Sequence, residues 1–250
     1  MKITILGCGG SFGSPLAWNR HGNIDLNNKR NFRTRSSVLI EYKNTNIIID
    51  TSPDLRQQLY NAKCTNIDAV LYTHIHSDHT SGVPDMRAMS LINKKIIPAY
   101  MPKEMIPEME TNYKYIFKGE KDYLPFMEIK ELNSSMNFQN INIETFKHNH
   151  GSIDVQTYKI GNFAYSTDLK KFYNQDIDKL KNLDLWIVGL LRQDTHPAHA
   201  GFDQIMDFIS YIKPKQTIFT HMTALLDEKD LLKKCSPNVK PGYDGMIINL

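Results

Sequence analysis

A chain of 250 residues with 41% hydrophobic and 23% charged side chains carries enough apolar material for one large layered core, and a single domain over 1–250 is expected. Its longest apolar stretch, residues 185–191, is far too short to cross a bilayer, so a soluble chain with no membrane partner is expected. A net charge of +3, dispersed without a basic tract, argues against a protein built chiefly to grip nucleic acid.

The opening Met1-Lys2-Ile3-Thr4-Ile5-Leu6-Gly7-Cys8 superficially resembles a lipoprotein signal, but its apolar core is short and interrupted by Thr4. It reads as a first strand over 2–6. Residues 9–34 follow as a long polar connection rich in Asn, Gly and Arg; a connection of that length in a compact domain is usually functional, and it is expected to overhang the site. Strands are predicted at 37–42, 46–50 and 69–73, the last after a helix starting near Pro53. Helical spacing follows at 83–91 and 103–117, the second opening after Pro102. The second half predicts strands at 141–147, 155–160, 163–166, 185–190, 217–220 and 246–250, with helices at 176–181, 202–212 and 227–234. Two β-rich halves with helices outside them point to an α/β fold, a four-layered αββα sandwich; periodicity alone leaves a doubly wound sheet open.

Cys8, Cys64 and Cys235 are scattered and lack Cys-x-x-Cys spacing, which excludes a zinc knuckle and a disulfide framework and fits a reducing cytoplasm.

Four metal-capable side chains cluster in Thr73-His74-Ile75-His76-Ser77-Asp78-His79, directly after an apolar strand. On extended backbone His74 and His76 point to one side, and a turn after Ser77 lets Asp78 and His79 address a neighbouring position. Further candidates stand at later strand ends: His148 and His150, Asp168, and His221. A lone histidine after a strand is usually just a satisfied polar residue. Three histidines within six positions beside an aspartate are another matter, and they predict metal binding.

His-x-His-x-Asp-His after an apolar strand, followed by a His, an Asp and a His, resembles the metallo-β-lactamase superfamily along nearly the whole chain. Gly7-Cys8-Gly9-Gly10-Ser11, Arg35-Ser36-Ser37, Ile49-Asp50-Thr51-Ser52-Pro53-Asp54-Leu55-Arg56 and Tyr243-Asp244-Gly245-Met246 further resemble its phosphoribosyl cyclic-phosphate phosphodiesterase branch. The resemblance implies the metallo-β-lactamase fold and two divalent cations, Zn2+ by default with Mn2+ as the alternative. It makes His74, His76 and His150 ligands of the first ion, and Asp78, His79 and His221 ligands of the second, with Asp168 bridging. His148 competes with His150 for its place; otherwise it is expected in a supporting or surface position. The branch also has cysteines for a structural zinc in the early loop, and residues 18–32 here contain none.

Two such ions can bridge a water, bring its pKa near neutrality and clamp a phosphoryl oxygen. Their charge exceeds that of two aspartates and a bridging hydroxide, so an anionic substrate is favoured, here a small, possibly cyclic, phosphodiester. By resemblance, His199, just before the helix at 202–212, is the catalytic group that is not a primary ligand; with a pKa near 6.5 it could protonate the leaving alkoxide. A helix-capping or surface role is the alternative for a single loop histidine.

Gly9-Gly10-Ser11-Phe12-Gly13 matches a nucleophile elbow, but it follows only the first strand, without an upstream loop to supply an oxyanion donor. It is expected instead to let backbone pass close to the metals. Arg33, Arg35 and Arg192 are candidates for phosphate contacts, though most arginines are surface charges. Two other readings stay open: a tRNA 3′-processing endoribonuclease, whose protruding arm would have to come from residues 113–126, and a non-catalytic metal-stabilised binding protein. A nucleic-acid partner is thus less favoured than a small substrate, and a homodimer remains open.

Overall fold

A computed structural model describes residues 1–17, 22–173 and 176–250. The first sheet is built from β1 (Lys2–Gly7), β2 (Ser37–Tyr42), β3 (Thr45–Ile49), β4 (Ala69–Leu71), β5 (Ile97–Met101) and β6 (Met127–Glu131). The second comprises β7 (Ser135–Phe138), β8 (Ile141–His150), β9 (Ile153–Ile160), β10 (Phe163–Ser166), β11 (Lys171–Phe172), β12 (Leu185–Gly189), β13 (Gln216–Thr220) and β14 (Val239–Pro241). The chain then returns as β15 (Ile247–Asn249) to pair antiparallel with β1. Among the described residues the sheets have seven and eight strands.

Alternation decides which sheet face meets which layer. Ile3, Ile5, Val38, Ile40, Ile47, Ile49, Ala69 and Leu71 turn inward to share a core with Tyr158, Ile160, Tyr165 and Ile187 of the second sheet. The intervening Leu6, Leu39, Ile48 and Val70 face outward and are covered by helices α1 (Leu55–Asn61), α3 (Met86–Asn93), α4 (Ile106–Asn112) and α5 (Lys114–Phe117). The short α2 (Ser77–Thr80) lies between α1 and α3 in sequence. On the far side, α6 (Phe202–Ile212) buries Phe202, Ile205, Ile209 and Ile212, and α7 (Glu228–Lys234) buries Leu231. The expected αββα order is present, and the named strands pair in parallel at β3–β6, β10 with β12, and β12–β14.

Several expectations need correction. The helix predicted over 103–117 is a 3-10 turn (Lys103–Met105) followed by α4 and α5, divided at Tyr113, whose φ of −130° is not helical. The 176–181 helix is a 3-10 turn, Asp176–Leu180. β8 runs three residues beyond 147, to His150. The described parts of the 9–34 connection fasten to the segment after β13: Asp25 and Asn31 donate to Asp227, and Arg30 pairs with Glu228. Residues 18–21 of that connection lie outside the described residues. No helix among the described residues is long and apolar enough to cross a membrane.

Candidate metal centre

One edge of the inter-sheet interface collects the chain just past β3 (Asp50), β4 (Thr73–His79), β10 (Asp168), β12 (through His199) and β13 (His221), together with the end of β8 (His150). Asp50, Asp168 and His221 all have left-handed backbone, with φ of 62°, 51° and 57°. Such non-glycine conformations cost on the order of 1 kcal/mol or more each, and they persist where the surroundings over-determine them. Gly189 permits a close approach at Asp168: a Cβ there would stand 2.9 Å from the Asp168 backbone nitrogen.

The side chains converge. Potential ligand atoms of His74, His76 and His150 lie within 4.8 Å of one another, as do those of Asp78, His79 and His221. Asp168 lies between them: Oδ2 is 3.2 Å from His79 Nε2, while Oδ1 is 3.4 Å from His221 Nε2 and 3.6 Å from His150 Nε2. Asp78 Oδ2 is 3.2 Å from His221 Nε2 and 3.3 Å from His79 Nε2.

Hydrogen bonds fix which ring nitrogen faces the cluster. Buried Asp50 accepts from Thr73 N–H and Thr73 O–H, both at 2.8 Å, and from His79 Nδ1–H at 2.7 Å. With its one hydroxyl proton spent on Asp50, Thr73 accepts from His74 Nδ1–H at 3.0 Å. His150 Nδ1–H donates to the Ala198 carbonyl at 2.8 Å. The Nε2 lone pairs of His74, His79 and His150 are thereby turned into the cluster. These residues fit a cation: buried His79 Nε2 makes no hydrogen bond despite two nearby carboxylate oxygens, and His74 Nε2 faces His76 Nδ1 at 3.0 Å.

The electrostatics agree. Burial lowers the imidazoles of His74 and His76 below their ordinary range, and neighbouring imidazoles add to this. Burial would also lower His79 and His221, but carboxylates outweigh it and raise both: Asp78, Asp50 and Asp168 at His79, Asp168 and Asp78 at His221. Burial alone would raise Asp78 and Asp168, and the surrounding imidazoles hold both below the carboxylate range. A field that favours a proton on His79 also favours a metal cation.

His148 is not on the surface. It is fully buried in β8, with Nδ1 2.9 Å from Thr157 Oγ1 and Nε2–H donating to the Thr167 carbonyl at 2.8 Å. Both ring nitrogens are occupied, so it supports the residue before Asp168 while His150 faces the cluster. His199 Nε2 reaches to 3.8 Å from Asp168 Oδ1. The pKa near 6.5 expected for it is corrected: burial pushes it down to about 3 against the pull of Asp168. Lys170 pins its turn by donating to the carbonyls of His196 at 2.6 Å and His199 at 3.3 Å.

The glycine loop approaches Met222 next to His221: Gly10 N–H donates to the Met222 carbonyl at 3.1 Å, and Met222 N–H to that of Cys8 at 2.9 Å. It therefore braces a ligand-bearing segment. The three arginines make contacts within the protein, Arg33 with Thr223 and Asn31, Arg35 beside Asp54, Arg192 with the carbonyls of Asp194 and Thr195, while buried Arg33 Nε is left without a hydrogen-bond partner. Sequence reasoning gave no role to Asp50 or Thr73. An acid directly after the apolar run of β3 was the available signal, because it ends a buried strand.

Facing sheets that share a His/Asp cluster at one edge define an αββα protein with a candidate metal centre. The chain belongs to the β-lactamase superfamily: the family described as Beta-lactamase superfamily domain matches residues 45–222. An octanoyltransferase from Porphyromonas gingivalis is 31% identical over 98% of this chain and 51% of its own length. A ribonuclease Z from Clostridium kluyveri is 27% identical over 73% of the chain and 53% of the relative. The chain thus spans about half the length of the curated relatives it matches. Among solved structures, a diphosphatase of the PhnP family superposes with a TM-score of 0.90 at 25% identity, covering 100% of this chain and 97% of that one.

Proposed function

We propose that the chain is a phosphodiesterase with two metal ions, acting on small phosphodiesters. The observation that carries this is the position of Asp168 between two triads of potential ligands. His74, His76 and His150 would hold one ion, Asp78, His79 and His221 the other, with Asp168 shared. Bound divalent cations, Zn2+ by default and Mn2+ as the alternative, would supply Lewis acidity and a water of lowered pKa. In the reaction water adds to phosphorus, one ester P–O bond breaks, and the departing oxygen gains a proton. His199 is assigned to that oxygen because it borders Asp168 outside the two triads, its ring also lying within ligand distance of His150 and Asp168. Its neutral ring can donate an N–H hydrogen bond, and the negative charge of a bound phosphodiester would raise its affinity for a full proton.

The PhnP-family diphosphatase supports phosphorus chemistry. The ribonuclease Z relative favours a second reading, a tRNA 3′-processing nuclease. Against that reading, residues 113–126 fold back rather than extend: Phe126 N–H donates to Ile116 O at 3.1 Å. The test is turnover by metal-loaded protein of a ribose cyclic phosphate, cyclic nucleotides, bis(p-nitrophenyl) phosphate and pre-tRNA. Hydrolysis of the small diesters is expected; exclusive cleavage of pre-tRNA establishes the second reading, and bound metal without turnover favours a binding protein.

A further inference from the structure

A cavity of about 290 Å3 opens beside His74, between the turn after β5 and the hairpin joining β8 to β9, so that each sheet supplies one wall. Ile75, Pro102, Met105 and Ile153 make its apolar lining. Its remaining walls carry Glu104, Glu108 and Asp154. Glu104 pairs with Lys147, and Asp154 accepts from the Tyr173 hydroxyl at 2.6 Å. The Glu108 side chain makes no ion pair or hydrogen bond among the described residues. Three carboxylates against one lysine leave two formal negative charges around an apolar pocket that borders the candidate metal centre at His74.

Resting on the phosphodiesterase reading, we propose that this cavity holds the non-reacting arm of the substrate and that this arm carries an amino or ammonium group. The substrate class is then a small zwitterionic phosphodiester. The apolar lining takes a short alkyl spacer, and the carboxylates take the cation. The volume lies at the low end of small-ligand pockets, which suits a short arm with some water. A polynucleotide would bring a further phosphate against Glu104, Glu108 and Asp154, so the same walls discriminate against nucleic acid.

The test compares KM values of metal-loaded protein for glycerophosphoethanolamine, the neutral-armed glycerophosphoglycerol and the dinucleotide pUpU. The ammonium diester should have a KM about 1.5- to fivefold below the neutral one, the range for exposed charge pairs, and this advantage should shrink with salt. In the double variant E104Q/E108Q the KM for the ammonium diester should rise and that for pUpU fall. Opposite signs cannot come from misfolding. Equal KM values in the unaltered protein, or shifts in the same direction, overturn the proposal. Calorimetry with phosphoethanolamine and glycerol 2-phosphate supplies a readout without turnover. If no diester is hydrolysed, the phosphodiesterase reading fails, and the cavity proposal is judged by this pair: tighter binding of phosphoethanolamine sustains it, equal binding overturns it.

Discussion

At His199, burial and charge pull in opposite directions, and the result decides what the ring can do. Its pKa of about 3 makes it neutral at ordinary pH, so its contribution depends on substrate being present. His199→Ala should retain both metals and the fold while lowering turnover of an alkyl diester by about 10² to 10⁴. The loss should shrink for aryl esters, whose leaving oxygen needs little protonation. Full activity on the alkyl diester, or metal lost in step with activity, would remove His199 from this role. His148 makes a different prediction. His148→Leu leaves the buried Thr167 carbonyl without its donor, costing about 1 to 3 kcal/mol and loosening metal held through Asp168. His148→Gln, which keeps an N–H, should recover most of both; an unchanged melting temperature and metal content in His148→Leu would contradict this. His148 and His150 have the same parity on one strand, so alternation alone did not separate them and the preference for His150 came from the family resemblance. Their partners distinguish them: Thr157 and Thr167 occupy both ring nitrogens of His148, whereas Ala198 holds only Nδ1 of His150.

Elements with strong periodicity were legible, and those whose signal lies in their partners were not. The contiguous ligands after β4 could be read because strand alternation and one turn suffice to bring them together. β5 contains Pro98, and β6 and β7 each have only two apolar residues; their neighbours, not their own patterns, hold them extended. The end of β8, Lys147-His148-Asn149-His150, has no apolar signal, and its pairing with β9 carries the strand onward. The same dependence on neighbours makes β12 a test of how the site is built. Gly189→Ala would push a methyl group against the Asp168 backbone nitrogen. It should cost about 1 to 3 kcal/mol and reduce metal retention. Wild-type stability and wild-type metal content together would show that the close approach does not shape the site.

Across the whole molecule, the first sheet contributes Asp50 and the His74–His79 segment, and the second contributes His150, Asp168, His199 and His221. The centre therefore exists only while the two sheets face each other, which ties its geometry to the shared core and ties folding stability to metal. The most direct test of the central claim is elemental analysis of gently purified protein beside its Asp78→Ala, His221→Ala and Asp168→Ala variants. About two ions per chain are expected, falling to about one in the first two variants and further in the third, where the shared ligand is lost. A single tightly held ion that survives Asp78→Ala and His221→Ala unchanged would contradict a two-metal centre.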